Sequence, residues 1–325
     1  MKEKSIKDLL SNNATYVILI VMCIVITVAR PKFISGENLL NVFSAACVYG
    51  CMALGMTFII ISGGIDLAAG ATVAFTGTMG AIFGQTAGAA GKVLPGVPEL
   101  PFIVPVIISI LSGIAIGFIT GFLIARFNTP PFIVTLGMTT VVRGFTLLIT
   151  KGEPVSNLIH GYSVLGGRIG MIPVSVIVFI LLILLSVVLL KRTRFGRDTY
   201  AIGSNQNAAS VSGVKVSSRK ISIYVFAGVM YAIAGLIVAG KATSIHPGAA
   251  QGYELTAIAA CIIGGASPSG GTGTIWSTVI GALIISVLRN GLTLLGIDSY
   301  WQQIAEGLVI IIAVALDVRR NSGAK

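Results

Sequence analysis

The chain has 325 residues, of which only 10% are Asp, Glu, Lys or Arg, against about 25% in typical globular proteins. Hydrophobic residues make up 55% and the mean hydropathy is +0.95. These values exclude a disordered chain, a disulfide scaffold and any sizeable soluble catalytic domain, and they predict an all-α, polytopic transmembrane bundle forming a single domain over 1–325.

The net charge of +11 arises from 22 basic and 11 acidic residues. Seven of the basic ones, Lys191, Arg192, Arg194, Arg197, Lys215, Arg219 and Lys220, fall in one break between apolar runs. Positive charge holds such a loop in the cytoplasm, so the excess is a topology signal. No basic patch interleaved with aromatics exists, and nucleic acid is therefore not an expected partner.

In chain order, the charged opening to about Thr15 precedes an apolar run from Tyr16 to Ala29. Arg30-Pro31-Lys32 stands where a signal peptide would need small residues, so the run reads as a retained first helix. Further candidate spans are Leu40 to Ile61, Asp66 to Phe83, Phe102 to Ala125, Phe132 to Thr150 and Pro173 to Leu190. After the basic loop come Ile221 to Gly240, Tyr253 to Gly264, Thr274 to Leu288 and Trp301 to Leu316. About ten crossings follow, several shorter than the ~20 residues of a straight span. Lys2, Lys4 and Lys7 at one end and Arg319, Arg320 and Lys325 at the other place both termini in the cytoplasm, with Arg30, Lys32 and Arg289 voting weakly against.

Many glycines lie inside these runs, among them Gly50, Gly55, Gly113, Gly117, Gly121, Gly228 and Gly235. Spacing of about four gathers small residues on one face and lets helix backbones approach. The four cysteines, Cys23, Cys47, Cys51 and Cys261, sit in apolar runs as small hydrophobes. His160 and His246 are far apart in expected loops, so no zinc or triad chemistry can be assembled, and no phosphate-binding P-loop is present. No cofactor is expected.

Two glycine-rich interruptions resemble each other: Ser62-Gly63-Gly64-Ile65-Asp66-Leu67 and Gly264-Gly265-Ala266-Ser267 through Gly273. Unwound backbone within a membrane must be buried in protein or line a watery cavity. Broken helices at corresponding places in two halves point to a transport path. Candidate path residues are Gly63, Gly64, Asp66, Arg143, Glu254, Gly264, Gly265 and Ser267. Asp66 can cap the next helix. Arg143, in mid-run, is the natural partner for its charge, and Glu254 and Glu306 raise the same question.

In the basic loop, Asn205 or Ser204 can cap a short helix through Ala208 and Ala209, and Gly213 can end it. A short exposed helix with small residues suits docking by another protein.

The stretch Asn207-Ala208-Ala209-x-x-x-Gly213, with Ile223 ten residues further on, resembles the EAA loop of bacterial ABC-importer permeases. It departs from that loop at Asn207, where Glu is usual, and at Val225-Phe226, where Leu-Pro is usual. Ser62 to Leu67, Thr193 to Arg197, Ala201 to Asn205, Tyr253 to Ala260 and Gly264 to Gly273 together resemble the ribose and galactose permeases of monosaccharide ABC importers, in order over about Asn38 to Asp317. The resemblance implies a non-catalytic subunit of the cell membrane. A second permease copy would complete its pore, an extracytoplasmic sugar-binding protein would deliver cargo, and ATPase subunits would dock on Arg197, Asn205, Asn207, Ala208, Ala209 and Gly213. Two other readings are an ion-coupled carrier, with Asp66, Glu254 or Glu306 binding H⁺ or Na⁺, and a membrane-embedded enzyme.

Overall fold

The computed structural model describes residues 14–322. Its helices are α1 (Ala14–Ala29), α2 (Gly36–Ile61), α3 (Ala69–Phe83), α4 (Ile103–Phe127), α5 (Pro131–Thr150), α6 (His160–Gly166) and α7 (Val174–Arg192), then α8 (Arg194–Ser204), α9 (Gln206–Val211), α10 (Val216–Ala242), α11 (Tyr253–Ile263), α12 (Ile275–Leu294) and α13 (Ser299–Ser322). The only named strands among the described residues form a two-residue hairpin, Arg168–Ile169 with Ile172–Pro173. Every apolar run expected from sequence contains a helix, but the run expected from Asp66 becomes helical only at Ala69, because Asp66 is spent on the turn before it. Lys2, Lys4, Lys7 and Lys325 lie outside the described residues.

Six helices, α2, α4, α5, α7, α10 and α12, are long and apolar enough to cross a membrane. Shorter apolar helices cover Thr15–Ala29, Ala69–Phe83 and Tyr253–Ile263. The shortness of α3 and α11 follows from the glycine-rich segment beside each, which takes residues out of the helical ladder. α12 runs to Leu294, six residues past the Leu288 expected from the apolar run, and so takes in Arg289.

The core is built around α2 and α10. Every residue of α2 from Ala46 to Ile61 is buried. Apolar surface gains little by leaving lipid, so close van der Waals packing and internal hydrogen bonds must hold the helices together. Glycine makes that packing possible. Gly113 of α4 and Gly228 of α10 lie against each other's carbonyls, and Gly117 lies on the Tyr224 carbonyl, so a side chain at any of the three would collide with backbone. Gly55 approaches Ala227 on the other side of α10. Thr57 on α2 and Thr278 on α12 share a hydroxyl hydrogen bond of 2.8 Å in the interior. On the periphery, α5 and α7 present Phe132, Leu136, Leu148, Ile180 and Leu181 outward.

Candidate translocation path and coupling segment

The first interruption begins where α2 ends. Gly63 takes φ +80°, its amide donates to the Ile60 carbonyl at 2.9 Å, and the Gly64 amide donates to Ile59 at 2.9 Å. This is a Schellman closure, and only glycine adopts its left-handed residue without strain. The chain then runs without helix to Ala68. Its carbonyls are satisfied by side chains of neighbouring helices: Thr139 of α5 donates to Leu67 at 2.8 Å, and Thr135 and Tyr224 reach Ile65 at 3.4 and 3.5 Å. The buried Asp66, 5% exposed, accepts the Ala68 amide at 2.8 Å and so closes a turn leading into α3.

The second interruption repeats the first closure. Gly265 takes φ +90° and donates to Ile262 at 2.8 Å, and the Ala266 amide donates to Cys261 at 2.9 Å. Ser62, Gly63 and Gly64 thus correspond to Gly264, Gly265 and Ala266 in hydrogen bonding as well as in sequence. Ser267 shapes the return of the chain, accepting the Ser269 amide at 3.3 Å, while its own amide donates to Thr272. The two interruptions meet: the Gly271 amide donates to the Ile61 carbonyl at 2.8 Å.

Charged groups are distributed differently from the expected pairing. Arg143 does not meet Asp66. Its Nη1 donates to the carbonyls of Pro247 at 2.7 Å and Ala249 at 3.0 Å, fixing the loop that leads into α11. Backbone carbonyls of an unwound loop neutralise part of a guanidinium's charge, as Asp66 would have done, and Asp66 is already used by the turn. Glu254 accepts the Gly252 amide at 3.2 Å at the start of α11, with its other oxygen against Gly70 of α3. Glu306 pairs with Arg289, whose Nη2 donates to it at 2.7 Å and whose Nε bonds the other carboxylate oxygen. The Arg289 guanidinium also bonds the Tyr49 hydroxyl and lies 4.8 Å from that ring's centre. Ending the apolar run at Leu288 had placed Arg289 outside the helix; the scarcity of charge that drew attention to Arg143 applies equally to it.

The basic segment 191–220 folds into α8 and α9. Thr193 caps α8 by accepting the Gly196 amide at 3.4 Å, and Asp198 pairs with Arg219 at 2.6 Å. Gly196, Thr199 and Ile202 turn inward while Arg197 is exposed. At its end α8 presses on both interruptions. Gly203 lies on the Ile61 carbonyl and the Gly271 amide, so a Cβ there would strike both, and Gly270 lies against Gly203 and Gly63. The Tyr200 hydroxyl donates to the Gly273 carbonyl at 2.6 Å. Three glycines far apart in sequence thus form one junction.

Asn205 caps α9, accepting the Ala208 amide at 3.0 Å, and Gly213 ends it at φ +88°. Of the residues expected on the docking face, Asn207 and Ala208 are exposed, whereas Ala209 is buried at 4% exposure and packs the segment itself. Val211 projects at the end of α9 with 91% exposure, an apolar tip that the sequence reading passed over. A valine in a polar, glycine-terminated loop was the available signal.

Residues 38–314 match the family described as branched-chain amino acid transport system / permease component. The chain belongs to this family. The permease is 41% identical over 307 residues to the ribose import permease protein of Bacillus subtilis, covering 94% of this chain and 92% of that one. It is 38% identical over 325 residues to the galactose/methyl galactoside import permease protein of Escherichia coli, covering 98% and 97%. Against the ribose import permease protein of Escherichia coli it is 36% identical over 321 residues, covering 97% and 96%. No solved structure matches the permease. The resemblance read from the five motifs therefore holds over nearly the full chain, and three of those motifs, Ser62 to Leu67, Ala201 to Asn205 and Gly264 to Gly273, meet at the α8 junction.

Proposed function

We propose that this permease is the membrane subunit of an ATP-binding-cassette importer and translocates a monosaccharide of the ribose and galactose class. An extracytoplasmic binding protein delivers the sugar, and a separate ATPase supplies the energy. Near-full-length similarity to both ribose and galactose import permeases carries this reading.

In this reading the chain is one transmembrane domain of ten crossings in the cell membrane, with α3 and α11 as half-length helices and both termini in the cytoplasm. A second copy, or a homologue, completes the pore. The segment 191–220 faces the cytoplasm. The ATPase grips α9 and its flanks through Asn205, Asn207, Ala208, Val211 and Gly213, with Arg197 contributing from α8, and Ala209 holds the grip's shape from inside. Movement of α9 passes through α8 to the Gly63, Gly203 and Gly270 junction, and so to both broken helices together. Glycine suits such a junction because backbones in direct contact transmit displacement without side-chain slack. The path itself runs by the unwound segment 63–68, Arg143 and the head of α11, where Glu254 stands.

The test is purification of the permease from its native membrane in mild detergent. Recovery of an ATPase subunit, with ATP-dependent sugar uptake after reconstitution, is the expected result. Recovery of the permease alone, with uptake driven by an ion gradient, would overturn the reading in favour of a secondary carrier.

A further inference from the structure

A cavity of about 720 Å³ opens between the head of α11, α12 and α13, within the ~300–1,000 Å³ range of small-molecule sites. Its walls carry Gln251, Glu254, Arg289, Gln302, Gln303 and Glu306. Such a concentration of polar side chains is costly beside lipid and is found in membrane helices where a cavity or pathway needs it.

α13 shows the same feature independently of the cavity. Ser299, Gln302, Gln303 and Glu306 recur at helical spacing, so they share one face, and all four line the cavity. Trp301, Ile304, Leu308 and Ile311 lie off that face and are exposed and apolar. The helix therefore separates an apolar outer side from a polar inner one. The opposite wall is held in place from behind, where Arg143 fixes the carbonyls of Pro247 and Ala249 just ahead of Gln251.

The chemistry of the walls selects the occupant. The charges of the walls are already answered: Arg289 is engaged by Glu306 and Tyr49, and Glu254 accepts the Gly252 amide within the field of Arg143, so no wall cation among the described residues is left free to hold an anion. A phosphate or sugar phosphate would find no unpaired cation here, and a neutral solute needs none. Carboxylate oxygens accept from hydroxyls, the amides of Gln251 and Gln303 both donate and accept, and Gln302, whose amide nitrogen already donates to Thr293 and Ile297, offers its carbonyl oxygen. We propose that this cavity is a cargo-binding station inside the membrane, taking a neutral polyhydroxylated solute. The proposal rests on the importer reading and adds to it the residues that meet the sugar.

The experiment uses the complete transporter, with its ATPase and binding protein, in liposomes. Gln303→Cys is introduced on one wall and Gln251→Cys on the other, so that a folding failure at one position leaves the second. Ile304→Cys, on the outer side of α13, sets the baseline. Reaction with a membrane-impermeant thiosulfonate is followed with and without ribose or galactose during ATP turnover. Both wall cysteines are expected to react, and to be slowed several-fold by the transported sugar but not by its phosphate, while the Ile304→Cys rate is insensitive to sugar. Normal sugar uptake with unchanged labelling at both walls would overturn the cavity proposal alone. Absence of ATP-driven sugar uptake by the unsubstituted transporter would instead overturn the importer reading on which it rests.

Discussion

The hydroxyl of Tyr200 donates to the carbonyl of Gly273 at 2.6 Å, tying α8 to the segment that joins α11 to α12. Partial burial raises the Tyr200 pKa above its ordinary value, so the phenol keeps its proton, and the bond its donor, throughout the physiological pH range. Beside it, Gly203 rests on the Ile61 carbonyl at the end of α2. α8 thus holds both interruptions at once.

Removing only the hydroxyl, as in Tyr200→Phe, costs about 0.5–1.5 kcal/mol net, so the permease still folds. Its expected defect is a lower ratio of sugar moved to ATP hydrolysed, with ATPase binding retained. Gly203→Val is more severe, because the new side chain meets backbone that cannot yield, and overpacking of this kind costs about 1–3 kcal/mol. A lowered thermal midpoint in detergent is the expected measurement. Wild-type coupling in Tyr200→Phe would show that α8 does not transmit through this bond.

Asp66 separates the importer from an ion-coupled carrier. As a turn-former it needs an acceptor oxygen, which Asn retains, so Asp66→Asn should keep most uptake. Asp66→Ala loses the bond to the Ala68 amide and should cost about 1 kcal/mol of stability. If Asp66 carried H⁺ or Na⁺, Asp66→Asn would abolish transport as fully as the alanine variant. Uptake assays on the two variants side by side distinguish the cases.

Val211 gives the cleanest test of docking. Because it is almost wholly exposed, Val211→Asp should change the permease's own stability by no more than about 0.5 kcal/mol. Loss of ATPase co-purification from a well-inserted variant is expected. Ala209→Glu would also abolish transport, but by forcing a charge into the packed side of the segment, which makes it the less informative substitution.

Much of this was legible in the sequence because membrane helices announce themselves by apolar runs, and because backbone irregularities in such runs require glycine. Both interruptions, the cap at Asn205 and the stop at Gly213 could be read for that reason. The partner of Asp66 could not. Scarcity of charge says that Asp66 and Arg143 need partners, but backbone amides and carbonyls are also available as partners, and they leave no mark in the sequence. The junction of Gly63, Gly203 and Gly270 was hidden for a different reason, since long-range contact between loops has no periodicity. Arg289 was missed because a single charge near the end of an apolar run looks like the end of the helix.

That arginine supports a final prediction. Arg289 and Glu306 join α12 to α13, with Thr256 of α11 also within reach of both at 3.4 Å. Breaking a largely buried pair by removing one partner costs about 3–5 kcal/mol, because the remaining charge is left uncompensated. Arg289 retains 26% of its side-chain exposure and Glu306 12%, which places Arg289→Ala toward the lower end. The uncharged double variant Arg289→Met/Glu306→Gln should recover much of the loss, since neither charge then needs compensation. Thermal unfolding of the single and double variants in detergent measures the coupling. If the double variant is as unstable as Arg289→Ala, the guanidinium's contact with the Tyr49 ring of α2, rather than the ion pair to α13, carries the stabilisation.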